Sequence, residues 1–139
     1  MSRVDFYILS QAGADACAQF SCRLTSKAVT LDHTVHIRTD DGADAKNLDE
    51  LLWTFQDESF LPHELWNGTT REAPVTIAEA AAQPPTDAEV IINLAGSPAP
   101  TGSWRIAEIV GADEPARSAG RSRFAHYRDA GLEIDTHKL

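Results

Sequence analysis

The most distinctive chemical feature of the sequence is a run of arginines near its carboxyl-terminal end. Residues 115–128 contain no acid and four arginines: Arg117, Arg121, Arg123 and Arg128. On an α-helix, Arg117, Arg121 and Arg128 share one face, and Phe124 joins them in a stripe about 60° wide. Guanidinium groups beside an exposed ring suit a ligand that joins an anionic group to an apolar one, such as an acidic peptide ending in an aromatic residue and a free carboxylate. A solvated helix face is the alternative, although such faces usually mix charges of both signs.

A second candidate surface is the stretch from Leu48 to Pro62, where large apolar side chains stand among acids. The apolar residues are Trp53, Phe55, Phe60 and Leu61, and the acids are Asp49, Glu50, Asp57 and Glu58. A large apolar group with a charged rim is typical of protein-binding patches. The alternative is that Trp53 ends a helix and packs into the core.

The other side chains with catalytic or metal-binding chemistry make a weaker case. Cys17 and Cys22 lie about 140° apart on a helix and lack further Cys or His partners, so we expect two ordinary buried or half-buried thiols rather than a zinc site. His63 beside Glu64 is a possible acid–base pair, but no nucleophile held by a third group lies nearby. We therefore predict no catalytic residues and no metal site.

Length and charge narrow the class of protein further. The 139 residues carry a net charge of −9, which argues against a protein that coats nucleic acid, because Lys and Arg drive phosphate binding. The charge is uneven: residues 1–104 hold 6 basic and 15 acidic side chains, whereas residues 105–139 hold 6 of each. No apolar run approaches the roughly 18 residues of a membrane span, and Asp5 precedes any apolar stretch, which is wrong for a signal peptide. Two cysteines are too few for a disulfide framework, so we expect a cytoplasmic protein. The length predicts one domain, residues 1–139.

Alternating strands and helices predict an α/β fold. The pattern predicts strands at 4–9, 33–38, 74–78, 89–94 and 104–110, and helices at 13–30, 44–53 and 113–130. Asp44 is the expected cap of the second helix, and Gly131 suits the end of the third. Residues 89–94 are almost continuously apolar, as in a strand covered on both faces. We expect a single Rossmann-like domain with a mainly parallel sheet and helices on both faces.

An α/β layout also raises the question of nucleotide binding. The loop after the first strand, residues 10–15, has one glycine, whereas a dinucleotide fingerprint needs several, so that the backbone turns tightly and approaches the pyrophosphate. The sequence also lacks a GxxxxGK[ST] loop. We therefore expect no nucleotide-binding loop and no cofactor. A small α/β nucleotide-binding or hydrolytic enzyme with His63 as base is the alternative function.

Several segments resemble the chi subunit of bacterial DNA polymerase III. They are residues 6–9 (FYIL), 48–53 (LDELLW), 58–63 (ESFLPH), 73–75 (APV) and 121–131 (RSRFAHYRDAG). Their order and spacing match that family over nearly the whole chain. The resemblance implies a Rossmann-like, non-enzymatic subunit of the clamp-loader assembly of the bacterial replicase. It also implies a link between that assembly and the acidic C-terminal tail of single-stranded-DNA-binding protein.

The resemblance implies a set of tail-binding residues. They are Val110, Arg117, Arg121 and Phe124, and the helical stripe identifies the last three independently. The family aromatic is often Tyr followed by Lys, whereas here Phe124 is followed by Ala125, so one cation is missing. Arg128 lies on the same stripe, and we infer that it compensates.

The resemblance also implies a surface for a partner subunit. It includes Trp53 and Phe60, to which we add the adjoining Leu61. The best-known members of the family bind the small psi subunit, but psi is not evident in every bacterial group that has chi. The sequence therefore leaves three partners open: psi, another clamp-loader subunit or a helicase-like protein. Direct binding of single-stranded DNA is not expected, because base stacking needs several exposed aromatic rings and only Phe124 lies on the stripe.

Overall fold

A computed structural model describes residues 3–55 and 61–139. In chain order the elements are β1 (Arg3–Ile8), α1 (Ala14–Thr30), β2 (Val35–Thr39), α2 (Gly42–Thr54), β3 (His63–Leu65), β4 (Val75–Glu79), β5 (Val90–Asn93), β6 (Arg105–Val110), α3 (Glu114–Asp129) and β7 (Glu133–Lys138). These seven strands form one sheet in the order β3-β4-β2-β5-β6-β1-β7, with every pairing parallel. The predicted Rossmann-like α/β fold is confirmed.

The helices cover both faces of the sheet, as predicted. Cys22 of α1 and Leu48 of α2 pack with the strands in one core cluster, whereas Tyr127 of α3 packs with Phe6 of β1 in a second. The connections through α1 and α2 run toward the β3 edge of the sheet, and the connection through α3 runs toward the β7 edge. Because such crossovers share one hand, opposite directions place α3 on the opposite face from α1 and α2.

Three details at element ends and sheet edges test the sequence prediction. The cap of α2 is Asp41 rather than Asp44, because the extended Asp41 turns its carboxylate onto the Asp44 N–H at 2.8 Å. Gly131 has φ +83° and ends α3 as predicted. The two edge strands, β3 and β7, were not predicted. Strand β3 has only three residues and strand β7 is largely exposed, so neither carries a long apolar run.

Candidate functional site

Helix α3 carries the predicted arginine stripe and is fixed at both ends. Asp113 caps it by accepting the Ala116 N–H at 3.2 Å, and Pro115 stands in the first turn, where a missing N–H costs nothing. His126 and Arg128 occupy the last turn, where cations suit the negative end of the helix dipole. These residues define where α3 begins and ends.

The inner face of α3 is defined by three buried residues at helical spacing: Gly120, Arg123 and Tyr127. The Tyr127 ring lies 6.1 Å from the ring of Phe6 in β1. The buried guanidinium group of Arg123 donates through Nε to Oε1 of Glu108 at 2.9 Å. His126, which directly precedes Tyr127, is exposed.

A buried polar network anchors α3 to the sheet. Glu108 has no exposed surface, and its Oε2 accepts from the Tyr127 hydroxyl at 2.6 Å and from Asn93 Nδ2 at 2.8 Å. Arg38 extends the network by donating to Asn93 Oδ1 at 3.0 Å. Burial raises the pKa of Glu108, and the charge of Arg123 opposes that rise. The network thus ties β2, β5 and β6 to one helix.

Sequence reasoning missed this network, although a signal for it was present. Glu108 and Arg38 are charged residues within the buried stretches of β6 and β2. A charge within such a strand is tolerated only with a partner, because an isolated buried charge is costly. The pattern predicts that a partner exists, but not which residue it is.

The outer face of α3 holds the predicted stripe. Arg117, Arg121 and Arg128 are exposed, and Phe124 lies among them. Phe124 is half-buried rather than exposed, because its ring stands 5.5 Å from the ring of Phe6 beneath it. The site therefore presents three guanidinium groups around an aromatic ring that is held by the core.

Acids at the two ends of α3 contact part of the stripe. Arg121 Nη2 lies 2.6 Å from Glu114 Oε1, and Arg128 Nη2 lies 3.2 Å from Asp129 Oδ1. Arg117 makes no ion pair within residues 3–55 and 61–139. The segment 115–128 lacks acids, but its neighbours at 114 and 129 supply two.

Val110, the fourth residue of the predicted tail site, lies below the helix. Only 2% of its surface is exposed, and its methyl groups face Gly120. Val110 therefore supports the inner side of α3, while the arginines occupy the outer side.

The second candidate surface contains an exposed tryptophan. Trp53 is 56% exposed, so it does not end α2 by packing into the core. Its ring centroid lies 4.6 Å from that of His63, and Leu61 is half-buried against the first core cluster. Leu65, two residues beyond His63 in β3, is 47% exposed. Phe60, the remaining predicted member, lies outside the described residues.

A cleft at the carboxyl ends of the strands is where an α/β enzyme would bind its ligand. It has a volume of about 830 Å³ and is lined by the starts of all three helices. Four acids line it: Asp15, Asp40, Asp44 and Asp113. These carboxylates oppose the attraction that the nearby helix starts would exert on a phosphate group. His63, the base of the alternative enzyme hypothesis, lies in β3 with its ring against Trp53.

The predicted thiols are free, with Cys17 half-buried and Cys22 buried. Burial raises the pKa of both, that of Cys22 to about 11. Over the described ranges, no three His, Cys, Asp or Glu side chains are grouped to hold a metal ion. The same ranges contain no helix long and apolar enough to cross a membrane.

Fold and site together define a Rossmann-like α/β protein that carries three exposed arginines on the outer face of α3. Residues 1–135 match the family described as DNA polymerase III chi subunit, HolC. The chain is 37% identical to DNA polymerase III subunit chi of Pseudomonas aeruginosa, over 100% of this chain and 98% of that protein. It is 29% identical to DNA polymerase III subunit chi of Escherichia coli, over 98% of this chain and 97% of that protein. The chain therefore belongs to the DNA polymerase III chi subunit family, and its role is that of a replication accessory subunit.

Proposed function

We propose that this chain binds the acidic C-terminal tail of single-stranded-DNA-binding protein on the outer face of α3, and so links that protein to the clamp loader in the bacterial cytoplasm. It acts there as an adaptor without catalytic residues of its own. Family membership supports a place in the replicase. The observation that carries the tail assignment is the exposure of Arg117, Arg121 and Arg128 around Phe124, on a protein whose net charge is −9.

The chemistry of the stripe fits such a tail. Exposed guanidinium groups bind a carboxylate through paired charged hydrogen bonds. The half-buried Phe124 ring offers an apolar surface next to them, anchored on Phe6. An acidic peptide with an aromatic carboxyl-terminal residue can meet both features at once. The rest of the protein is acidic and should repel DNA, so the tail rather than the nucleic acid is the expected ligand.

Titration of a tail peptide against wild type and Arg121→Ala tests this assignment. We expect Arg121→Ala to weaken binding by about 2 kcal/mol, or roughly thirtyfold, because a charge-assisted contact is lost. Arg23→Ala is the matched control, since Arg23 is an exposed arginine on α1. A peptide whose terminal carboxylate is converted to an amide should lose affinity for wild type as well. Equal affinities of wild type and Arg121→Ala would contradict the proposal.

We propose further that Trp53, Leu61 and the adjoining Phe60 bind a second protein of the replication machinery: psi, another clamp-loader subunit or a helicase-like protein. The 56% exposure of Trp53 supports this surface, because a large exposed apolar side chain on a helix is typical of an interface. Capture of partners from the native cytoplasm should fail with Trp53→Ala. It should persist with Leu31→Ala, which removes an equally exposed apolar residue at the end of α1. Retention of the same partner by Trp53→Ala would refute the assignment.

A further inference from the structure

A second cavity lies at the amino ends of β1, β5 and β6, alongside the second half of α1. It is an open groove with a volume of about 810 Å³, which is within the usual range of ligand-binding clefts. Helix α1 packs on the face of the sheet opposite α3, and Trp53 lies against β3 at one edge of the sheet. The groove is therefore separate from both of the proposed binding surfaces.

A buried carboxylate in the groove holds an arginine in place. Asp5 is 2% exposed, and its Oδ2 accepts a hydrogen bond from Arg105 Nε at 2.8 Å, while its Oδ1 lies 3.0 Å from His137 Nε2. Arg105 contacts Asp5 through Nε alone, and its side chain is 55% exposed. Within residues 3–55 and 61–139, the Nη1 and Nη2 groups of Arg105 have no acceptor. Asp5 thus fixes the guanidinium group and leaves its terminal N–H groups available.

The other two acids that line the groove already have partners. Arg71 donates to both carboxylate oxygens of Asp87. Oε1 of Glu89 accepts the Thr34 N–H at 3.0 Å, and Oε2 lies 3.4 Å from His33 Nδ1. Every carboxylate oxygen of the groove is therefore within hydrogen-bond distance of a group in the protein.

The charged groups of the groove that lack partners are donors. Lys27 lines the groove from the last turn of α1, and it makes no ion pair with any residue that the structure describes. Arg105 adds its terminal N–H groups, and Arg3, which also lines the groove, has a buried Nε without a hydrogen-bond partner there. A carboxylate, which only accepts hydrogen bonds, complements this excess of donors.

The wall of the groove that α1 forms is largely apolar. Leu24, Ala28 and Leu31 line it at helical spacing, and Leu31 is 61% exposed. The groove therefore offers an apolar surface next to uncommitted cations. Because the groove is open, an extended chain can lie in it and contact both surfaces.

We propose that this groove binds an acidic peptide segment of a partner protein. Arg105 and Lys27 hold carboxylates of the segment, and an apolar side chain of the segment packs against Leu24 and Leu31. The protein has a net charge of −9, so most of its surface repels an acidic partner. The uncommitted donors make the groove a place where such a partner can bind. This site goes beyond the proposed function and does not depend on it.

Titration of the full chain with a defined probe tests the groove. The probe is a peptide of Asp and Glu with a single Leu, and its carboxyl end is amidated so that it lacks the terminal carboxylate assigned to α3. We expect Lys27→Gln to weaken binding about threefold, because an exposed charge pair is lost. Arg105→Gln should weaken it about tenfold, because this guanidinium is held in place by Asp5. Lys46→Gln, which removes an exposed lysine of α2 outside the groove, is the matched control and should bind like wild type.

Four outcomes would overturn the proposal. The first is equal affinity of Lys27→Gln and Lys46→Gln, or no binding of the probe to wild type. The second is binding that weakens in Arg121→Ala but not in Lys27→Gln, which would place the probe on the arginine stripe of α3. The third is binding of inorganic phosphate in the groove without binding of the peptide, which would assign the groove to a small anion. The fourth is self-association of wild type that Lys27→Gln abolishes, which would assign it to a second copy of the chain.

The test does not depend on the folding of Arg105→Gln. That variant leaves the buried Asp5 without its arginine and is the one that can fail to fold. Lys27 makes no ion pair within the described ranges, so Lys27→Gln removes only a charge that faces the ligand. If Arg105→Gln does not fold, the comparison of Lys27→Gln with Lys46→Gln decides.

Discussion

Arg121 and Glu114 form an ion pair of 2.6 Å on the exposed face of α3. The two residues lie seven positions apart on the same face of the helix, and both side chains are largely exposed. An acidic ligand that binds Arg121 must therefore displace an acid that the protein itself supplies. Glu114 is a competitor built into the proposed tail site.

Glu114→Gln should strengthen binding of an acidic tail peptide. An exposed ion pair is worth about 0.5 kcal/mol, so removing the competitor should raise the affinity roughly twofold. Peptide titration at low and moderate salt measures this. Asp129→Asn, which frees Arg128 in the same way, should have a similar effect if Arg128 belongs to the site. An affinity that falls in Glu114→Gln would show that Glu114 does not compete for Arg121.

Glu108→Gln should destabilise the protein strongly. The change leaves the buried Arg123 guanidinium without its carboxylate, and breaking a buried pair on one side costs about 3 kcal/mol. Unfolding in urea, followed by circular dichroism, measures the free energy of unfolding. Glu133→Gln, at an exposed position in β7, is the control and should change it by less than about 0.5 kcal/mol. Equal stability of the two variants would show that the network does not anchor α3.

The sequence predicted the inner elements of the sheet well and its edges poorly. Strands β5 and β6 are buried on both faces, so their apolar runs were clear. Strands β3 and β7 each pair with a single neighbour, and a strand with open surface keeps polar residues. The sequence of β7, EIDTHK, alternates only partly between apolar and polar side chains.

Helical spacing predicts that the stripe lies on one face of α3, but it does not predict how far each side chain is buried. The angle of Phe124 on the helix was correct, yet its partial burial depends on Phe6, which lies 118 positions earlier in the chain. Glu108 and Arg123 are likewise joined only by the packing of β6 against α3. Such pairings are properties of the tertiary structure. A local pattern can show that a partner is needed without naming it.

The free energy of unfolding should fall as the pH is lowered from 6.5 to about 4, because buried His36 stays neutral in the folded protein over this range. Burial, and then the nearby Arg38, lower the pKa of His36 from 6.5 to about 4. Between these values, the unfolded chain binds a proton that the folded chain does not. The contribution of His36 is therefore fully present above pH 6.5 and is lost toward pH 4, at up to about 1.4 kcal/mol per pH unit.

His36→Gln should flatten this part of the stability profile. Glutamine does not titrate, so the free energy of unfolding of the variant should change less with pH between 6.5 and about 4 than that of wild type. Urea unfolding at several pH values measures both slopes. Parallel profiles for the two proteins would mean that His36 is not the group responsible.

Gly120→Ala tests how closely α3 approaches the sheet at the proposed tail site. A Cβ at this position would lie 3.1 and 3.2 Å from the two methyl carbons of Val110. Alanine normally favours a helix interior by about 1 kcal/mol over glycine, but overpacking a core costs about 1 to 3 kcal/mol. Val110 is buried and β-branched, so it cannot rotate away.

We expect Gly120→Ala to lose about 1 kcal/mol of unfolding free energy, because the overpacking cost outweighs the gain in helix propensity. Gly42→Ala is the matched control: a Cβ there meets nothing within 4 Å, so the substitution should be neutral or slightly stabilising. Gly120→Ala should also bind the tail peptide more weakly than Gly42→Ala, since α3 must move away from Val110. A Gly120→Ala protein as stable as Gly42→Ala would show that the helix can shift without cost, and that its contact with Val110 does not fix the arginine stripe.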